Sequence, residues 1–244
     1  QAYMDQALSD AAAKIRNRRT RLQWENMMAR RYTFVTGTRN WSSWSLRPYV
    51  ALRATGAEFA EDVILLRRPD TAAEVAKRSP SGRIPVLTVH ADTGTFSVWD
   101  SLAICETLAE AHPEAQLWPK EARARAEARA VSAEMHAGFA NLREQLPMDF
   151  ARALPTPDLR PETKTEIARV LTLWTTALAN SGGPFLYGTL SIADCMYAPI
   201  CSRFTTYRIQ MPDAAKAYVA RMLALPALAD WGRAAQKEVE TGLA

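Results

Sequence analysis

The chain has 244 residues, 48% of them apolar, which is enough to bury the core of one large domain or two small ones. Lysine and arginine exceed aspartate and glutamate by only four, 30 against 26, and much of this excess falls within the first 31 residues. A nucleic-acid-binding face needs basic residues clustered on the folded body, and the rest of the chain shows no such cluster. Nucleic acid is therefore not an expected partner.

Cysteine and histidine usage argues against disulfides and metal sites. The three cysteines are an odd number, far apart, and all in apolar or helical contexts: Cys105, Cys195 and Cys201. The three histidines are scattered and lack the spacing of metal ligands. We therefore expect buried free thiols and no metal. No apolar run reaches the roughly 18 residues of a membrane-spanning helix, so no membrane partner is expected.

Residues 1–31 are predicted to be an N-terminal extension, helical and outside the main fold. They are rich in Ala and Arg and contain no apolar stretch of the kind found in secretory signals. Asp5, Asp10 and Glu25 argue against an organelle transit peptide. The expected location is therefore the cytoplasm.

The first motif after this extension predicts a site for an anion. Tyr32–Val35 is a β-prone run, and the polar stretch from Asn40 to Ser45 leads into an amphipathic segment that stops at Gly56. The first N–H groups of a helix lack internal partners, and the helix dipole adds partial positive charge there. A turn rich in serine hydroxyls at this position suits an anion.

The remainder of the first 112 residues predicts a small α/β domain. A second strand follows at Phe59–Leu66, a short helix or loop segment at Thr71–Lys77, and a proline-containing strand at Ile84–Val89. Pro85 predicts a bend or a cis peptide bond at Ile84-Pro85, with backbone left free to pair with another molecule. Thr95–Val98 completes a hairpin, and Asp100-Ser101 begins a helix. The predicted order is β-α-β-α-β-β-α over residues 32–112.

Everything after a proline-bounded linker at 113–120 is predicted to be helical, forming a second domain over residues 121–244. The pattern predicts one long helix from Glu121 to about Leu146, an irregular proline-rich connection, and a second long helix at Glu162–Asn180. Ser191-Ile192-Ala193-Asp194 is a capping-box pattern that begins a third helix, in which Asp194 is structural. Two shorter helices, separated by Pro226, end the chain.

With these motifs in this order, the chain resembles the glutathione transferase superfamily, of the serine type (zeta-like, tau-like or bacterial). The resemblance covers about residues 32–240 and is carried by the following motifs: Ser42-Ser43-Trp44-Ser45-Leu46-Arg47, Ser79-Pro80-Ser81-Gly82-Arg83-Ile84-Pro85-Val86-Leu87, Trp99-Asp100-Ser101-Leu102-Ala103-Ile104 and Ser191-Ile192-Ala193-Asp194. It implies a thioredoxin-like N-terminal domain, an all-helical C-terminal domain, glutathione as co-substrate and a homodimer.

The resemblance also implies roles for individual residues. Ser42 is the expected catalytic hydroxyl, with Ser43 as the alternative; both could instead merely cap the helix. The backbone of Ile84-Pro85 should pair with the cysteinyl part of glutathione. Asp100 and Ser101 should hold the γ-glutamyl end, in addition to capping a helix. Arg83 either contacts the glycine end or is an exposed loop residue.

A second set of residues is expected to form the pocket for the electrophilic substrate: Trp44, Met135, His136, Phe139, Arg143 and Tyr207. Of these, Met135 and Phe139 are expected to serve mainly in core packing, and His136 and Arg143 are the better candidates for lining the pocket. Arg208 is a further candidate for this pocket. Arg47 is expected either to brace the site or to be an ordinary solvent-exposed cation, with neither alternative favoured.

The expected function is conjugation of the glutathione thiolate to a small hydrophobic electrophile. A glutathione-dependent ether-cleaving, dehalogenating or isomerising enzyme is an alternative, as is a non-catalytic binding or interaction module of the same fold. The zeta class has Cys where this chain has Trp44, and maleylacetoacetate isomerase activity is associated with that Cys, so the isomerase ranks low. The absence of Cys from the same turn disfavours a thioltransferase.

Overall fold

The computed structural model describes residues 31–92 and 94–244. The predicted N-terminal extension, up to residue 30, lies outside these residues; Arg31, its last predicted residue, already belongs to the first strand, β1 (Arg31–Gly37).

A four-stranded sheet organises the first part of the described chain. Three strands follow β1: β2 (Phe59–Ile64), β3 (Val86–Ala91) and β4 (Gly94–Trp99). The order across the sheet is β2-β1-β3-β4, with β1 parallel to β2 and the β1–β3 and β3–β4 pairs antiparallel. The sheet confirms the predicted thioredoxin-like pattern, including the hairpin. β3 begins after Pro85 rather than containing it, because proline has no N–H to contribute to a ladder.

Helices cover both faces of this sheet: α1 (Ser43–Thr55), α2 (Thr71–Arg78) and α3 (Ser101–Ala111). Side chains alternate along β1, so Tyr32 and Phe34 pack into the main core while Val35 faces the other side. There Val35 packs with Val75 of α2 and with Ile64 and Val86 of the neighbouring strands. The sheet is therefore buried on both faces, and α1 lies between it and the helices that follow.

Helices make up nearly all of the regular structure after a short 3₁₀ turn at Pro113–Ala115: α4 (Ala122–Ala137), α5 (Ala140–Gln145), α6 (Pro161–Ser181), α7 (Ile192–Thr206), α8 (Asp213–Leu223) and α9 (Pro226–Glu240). This confirms the predicted all-helical second part. Helix α7 is buried on almost every side and packs against α1, α4 and α8. It joins the sheet-containing part to the helical part.

The prediction of one long helix from Glu121 to Leu146 was wrong, because the helix breaks at Gly138-Phe139. Gly138 has an extended backbone, and its N–H still donates to the Glu134 carbonyl at 2.8 Å. A Cβ at this glycine would lie 2.8 Å from the same oxygen, which no side chain tolerates. Phe139 follows with a φ of 56°. The break redirects the chain so that α5 returns towards the start of α1.

Asn40, in the turn before α1, ties this turn to the segment after α5. Its Nδ2 donates to Asp149 Oδ1 at 2.6 Å, its Oδ1 accepts from the Ala151 N–H at 2.8 Å, and its carbonyl accepts from the Phe150 N–H at 3.1 Å. Its own N–H donates to Glu238 Oε2 at 3.0 Å. One fully buried residue therefore connects three separate parts of the chain through its side chain and its backbone.

Replacing Asn40 with alanine should lower the free energy of unfolding by about 2–3 kcal/mol, because two hydrogen bonds are lost and both partners stay partly buried. Urea denaturation followed by circular dichroism measures this change. The matched control is Asn180→Ala, at an exposed position on α6, which should change stability by less than about 0.5 kcal/mol. Equal losses in the two variants would contradict the proposed bridging role.

Candidate functional site

An open cleft of about 580 Å³ brings three of the predicted motifs together. It is lined by Trp44, Ser81, Arg83, Ile84, Pro85, Trp99, Asp100, Ser101 and His136. All the residues predicted for glutathione except Ser42 are in this set. A larger cleft of about 690 Å³, at the opposite end of the sheet, contains none of the predicted site residues.

The backbone around Arg83 is fixed by a neighbouring serine. Ser79 Oγ donates to the Arg83 carbonyl at 2.5 Å and accepts from the Arg83 N–H at 3.2 Å. The following Ile84-Pro85 peptide bond is cis, one of the two forms predicted. This arrangement positions Ile84 and the exposed Arg83 side chain at the wall of the cleft.

Asp100 both caps α3 and faces the cleft. Its Oδ1 accepts from the N–H groups of Leu102 and Ala103, at 2.9 and 3.2 Å. Its Oδ2 lies 3.2 Å from Nε2 of His136, which belongs to α4. The backbone holds this residue at a φ of 75°, a conformation that non-glycine residues rarely adopt and that recurs at functional sites. Asp100 therefore connects the sheet-containing part to the helical part across one end of the cleft.

Ser101 presents a buried hydroxyl with no partner. The residue is fully buried, and its Oγ makes no hydrogen bond within the described chain. A buried hydroxyl without a partner is costly, so a ligand atom that supplies one is favoured. Because Ser101 is also the first residue of α3, a carboxylate bound there would additionally face a helix N-terminus. Ser101 thus fits an anionic group of a ligand.

The serine turn at the start of α1 is buried, and its hydroxyls have different partners. Ser42 is the N-cap residue, but its side chain makes no capping hydrogen bond. Its Oγ instead donates to Ser45 Oγ at 2.7 Å. Ser43 Oγ accepts from Arg203 Nη2 at 3.3 Å. The two serines, 6% and 7% exposed, are not among the residues that line the cleft, whereas the adjacent Trp44 is.

Arginines from three helices surround this turn, and we call Arg47, Arg143 and Arg203 the arginine cluster. The guanidinium carbons of Arg47 on α1 and Arg143 on α5 lie 4.2 and 5.2 Å from the ring centre of Trp44. Arg203 on α7 contacts Ser43 and donates from Nε to the Leu146 carbonyl at 2.8 Å. Arg47 is fully buried, so the interpretation as an exposed cation was wrong.

The cluster retains its positive charge although it is buried. Burial, together with repulsion from Arg203 and Arg143, lowers the pKa of Arg47 to about 9. Burial, together with repulsion from Arg143, lowers the pKa of Arg203 to about 10. Burial also lowers the pKa of Arg143. At neutral pH Arg47 and Arg203 therefore remain protonated, and the start of α1 carries a strong positive potential.

The residues predicted for the electrophile pocket separate into two groups. Trp44 and His136 line the cleft, with their rings 5.4 Å apart and edge to face, and Arg143 stacks on the same indole. The other three are buried in the core and do not line the cleft: Met135, Phe139 and Tyr207. Arg208, a weaker candidate, is exposed and is not among the lining residues.

Two cleft residues, Ser81 and Trp99, were not predicted from the sequence. Both lie inside motifs that carry the family resemblance, within two residues of a predicted site residue, so membership of those motifs was the available signal. Trp99 is 48% exposed, which is unusual for so large an apolar side chain. It extends the apolar wall of the cleft beyond the sheet edge.

The cysteines are excluded as nucleophiles by their burial. All three are free and buried, which raises the pKa of Cys105, Cys195 and Cys201. Within residues 31–92 and 94–244, no helix is both long and apolar enough to cross a membrane.

Comparison with known proteins agrees with this geometry. The family model "Glutathione S-transferase, N-terminal domain" matches residues 41–111, and "Glutathione S-transferase, C-terminal domain" matches residues 157–234. The chain belongs to the glutathione S-transferase family. The first match includes the serine turn, the cis-proline segment and the Asp100-Ser101 helix start, and the second includes α7 with its capping box.

Individual relatives add detail. A probable maleylacetoacetate isomerase of Caenorhabditis elegans is 31% identical over 98 residues, which are 40% of this chain and 44% of the relative. The match thus spans less than half of that relative's length. A Burkholderia glutathione transferase homologue with bound glutathione has 21% identity and a TM-score of 0.63, covering 85% of this chain and 99% of that one. Glutathione transferase Omega 2S of Trametes versicolor, in complex with 2,4-dihydroxybenzophenone, has 22% identity and a TM-score of 0.63, covering 87% and 97%. These two structures share the fold.

Proposed function

We propose that this glutathione transferase activates glutathione through the Ser42 hydroxyl and conjugates it to a small, largely apolar electrophile. The observation that carries the proposal is that Ser42 occupies the N-cap of α1 without capping it. Within the part of the chain that the structure describes, its hydroxyl is bound only to another hydroxyl, Ser45 Oγ. A serine that served only to cap the N-terminus of the helix would accept a hydrogen bond from an N–H of the first turn.

The pair of hydroxyls allows Ser42 to donate to a thiolate. Hydroxyl hydrogens rotate, so the fully buried Ser45 hydroxyl, which is bound to Ser42, can turn to donate to Ser42 Oγ. The Ser42 proton is then free for the sulfur, and the two hydrogen bonds reinforce each other. Ser43, by contrast, is held by Arg203 on α7 and braces the two parts of the chain. We therefore assign the thiolate contact to Ser42 and a positioning role to Ser45.

The energy required is small. A free thiol has a pKa of about 8.5, and lowering it by two units needs about 2.7 kcal/mol of preference for the thiolate. One hydrogen bond to a charged acceptor contributes about 1.5–3 kcal/mol, and the N-terminus of α1 and the arginine cluster add positive potential. The thiol proton passes to water, the sulfur forms a bond with the electrophilic carbon, and a leaving group departs with its electron pair or an added carbanion takes a proton. No general base is required.

The rest of the cleft fits glutathione as the co-substrate. The Ile84 backbone would pair with the cysteinyl unit, Ser101 would bind the γ-glutamyl carboxylate, and Asp100 would attract the γ-glutamyl ammonium. Arg83, exposed on the same wall, would meet the glycine carboxylate. The bound glutathione reported for the Burkholderia homologue supports this proposal.

Adding glutathione and titrating the thiolate absorbance tests the function directly. We expect the bound thiol to ionise with a pKa about two units below that of free glutathione, near 6.5. Glutathione that binds, as measured by calorimetry, but ionises only near its free pKa would contradict an activating enzyme. A protein that binds no glutathione at all would instead be a binding or interaction module of this fold.

The match to the probable isomerase of Caenorhabditis elegans favours a second candidate, a glutathione-dependent isomerase. In an isomerase the thiolate adds to a double bond and leaves again, so glutathione is not consumed. Trp44 lies where the zeta class has Cys, and this difference argues against an isomerase. Thiol consumption per product formed distinguishes the two, with one equivalent expected for conjugation and none for isomerisation.

We further propose that the enzyme is a cytoplasmic homodimer. The neighbouring exposed side chains of Trp99 and Asp100, at the edge strand and the cleft, are consistent with a partner subunit beside the site. Light scattering in solution tests the dimer: a molar mass of about twice 27.1 kDa is expected.

A further inference from the structure

The arginine cluster carries more positive charge than its surroundings neutralise. Within residues 31–92 and 94–244, no carboxylate forms an ion pair with Arg47, Arg143 or Arg203. The acids that interact with the cluster at longer range are already engaged. Asp100 caps α3 and faces His136, and Glu166 accepts hydrogen bonds from the first turn of α5.

The guanidinium groups are also short of acceptors. Among the described residues, all three side-chain nitrogens of Arg47 are buried without a hydrogen-bond partner, and so is Nη1 of Arg203. Buried arginines normally form several hydrogen bonds to a carboxylate or to backbone carbonyls. The four nitrogens belong to Arg47 and Arg203, so the positive charge beside the half-buried Arg143 is not neutralised, and this favours an anion at Arg143.

We infer that the arginine cluster is a subsite for a carboxylate group on the electrophilic substrate. The inference rests on the proposed transferase function and specifies the substrate class. Arg143 is the direct ligand, because it is half-buried and reachable, whereas Arg47 and Arg203 are 0% and 3% exposed. The indole of Trp44 stacks on the guanidinium of Arg143, so the edge of the guanidinium remains for a planar carboxylate to bind in a bidentate manner.

Trp44 connects this subsite to the reaction. The same indole lines the cleft and contacts both Arg47 and Arg143. It also lies two residues after Ser42, so a substrate anchored at Arg143 can lay its apolar body along the indole with its electrophilic carbon near the thiolate. The residues predicted to bind the two carboxylates of glutathione, Ser101 and Arg83, are not members of this cluster. The substrate class is therefore an electrophile with an apolar body and a carboxylate.

A matched pair of substrates tests the inference: 4-chloro-3-nitrobenzoate and 4-chloro-3-nitrobenzamide. They share the ring and the chloride leaving group and differ in charge. Each rate is divided by the uncatalysed rate with glutathione, which removes the difference in intrinsic reactivity. We expect kcat/KM for the acid to exceed that for the amide by at least about tenfold on this scale.

Arg143→Met keeps the apolar stem over Trp44 and removes the charge. This variant should lose about tenfold or more in kcat/KM for the acid relative to the amide, because any weakening of thiolate activation affects both substrates equally and cancels in this ratio. Arg143→Lys should retain part of the preference. The matched control is Arg221→Met, which removes an arginine on α8 that donates to the Pro184 carbonyl and should leave the preference intact.

A binding measurement gives a readout independent of turnover. Calorimetry with unreactive 3-nitrobenzoate, in the presence of glutathione, should show affinity for the unmodified enzyme and about tenfold weaker affinity for Arg143→Met, once a thermal melt confirms folding. Equal use of acid and amide by the unmodified enzyme would overturn the carboxylate subsite and leave the transferase function standing. Failure with both substrates, together with no low-pKa thiolate in the glutathione titration, would overturn the proposed function itself.

Discussion

Replacing Ser42 with alanine is expected to lower kcat/KM for glutathione conjugation by about 10- to 150-fold near neutral pH, which corresponds to the 1.5–3 kcal/mol of one hydrogen bond to the thiolate. Without the hydroxyl, the pKa of the bound thiol should rise towards its free value of about 8.5. The fraction of glutathione present as thiolate then falls, and the rate falls with it. Steady-state kinetics and titration of the thiolate absorbance measure the two effects on the same protein.

The pH dependence separates this explanation from simple damage to the site. A thiol with a raised pKa is still fully ionised at sufficiently high pH. The deficit in kcat/KM of Ser42→Ala relative to the unmodified enzyme should therefore shrink as pH rises through about 8.5. A variant whose geometry had collapsed would remain slow at every pH.

The neighbouring serines provide the matched controls. Ser45→Ala should give a smaller loss in the same direction, because Ser42 keeps its hydroxyl but loses the hydrogen bond that orients it. Ser43→Ala removes the contact with Arg203, so it should lower the free energy of unfolding. Its effect on the pKa of the bound thiol should be small. If Ser43→Ala raised the thiol pKa and Ser42→Ala did not, the thiolate contact would belong to Ser43.

The sequence was informative where local chemistry determines structure. The serine turn, the cis-proline segment and the Asp100-Ser101 helix start are each a few adjacent residues with strong backbone preferences. Their order along the chain was enough to predict the strands and helices of the first part, and the structure brings two of the three motifs into one cleft together with Trp44 of the third.

The break at Gly138-Phe139 shows what the sequence concealed. A glycine inside a helix costs only about 1 kcal/mol, and apolar residues at helical spacing continue on both sides of it. The position of the break depends on the close approach of Gly138 to the Glu134 carbonyl and on the positive φ of Phe139. Neither has a local sequence signal.

The arginine cluster was hidden for a different reason. Its members are separated by 60 residues or more and come from three helices, so no motif joins them. Arg143 was predicted as a pocket residue and Arg47 as one of two alternatives, but nothing indicated that Arg203 would join them. Burial of a charged side chain is decided by how α1, α5 and α7 pack, and tertiary packing is not readable from a single sequence.

Asp194, by contrast, shows how a short motif can have a large effect on stability. It is fully buried at the start of α7, and its carboxylate accepts four hydrogen bonds. The donors are the N–H groups of Leu186 and Ser191, at 3.0 and 2.9 Å, and the hydroxyls of Ser191 and Tyr218, at 2.9 and 3.0 Å. The carboxylate therefore links the preceding loop, the helix start and α8.

Asp194→Ala is expected to lower the free energy of unfolding by about 3–5 kcal/mol at pH 7, because four buried donors lose their acceptor at once. Denaturant unfolding measures the loss. Asp213→Ala is the matched control: this aspartate also lies in a first helical turn, but it is fully solvated and paired only with Lys216. Its removal should cost less than about 1 kcal/mol. Similar losses in both variants would show that the buried network contributes little.

The same carboxylate predicts a pH dependence opposite to that of most acidic groups. Burial raises the pKa of Asp194 from 3.8 to about 6, despite its four donors. The folded state then binds the proton more tightly than the unfolded state, so the stability contributed by protonation is complete below about pH 4 and is lost as pH rises through about 6. The free energy of unfolding should fall by about 3 kcal/mol over this range, at about 1.36 kcal/mol for each unit of pKa shift. Asp194→Asn cannot titrate at this position. The free energy of unfolding of the unmodified protein minus that of this variant should therefore decrease from pH 4 to pH 7. A constant difference would mean that the folded carboxyl titrates as in the unfolded chain.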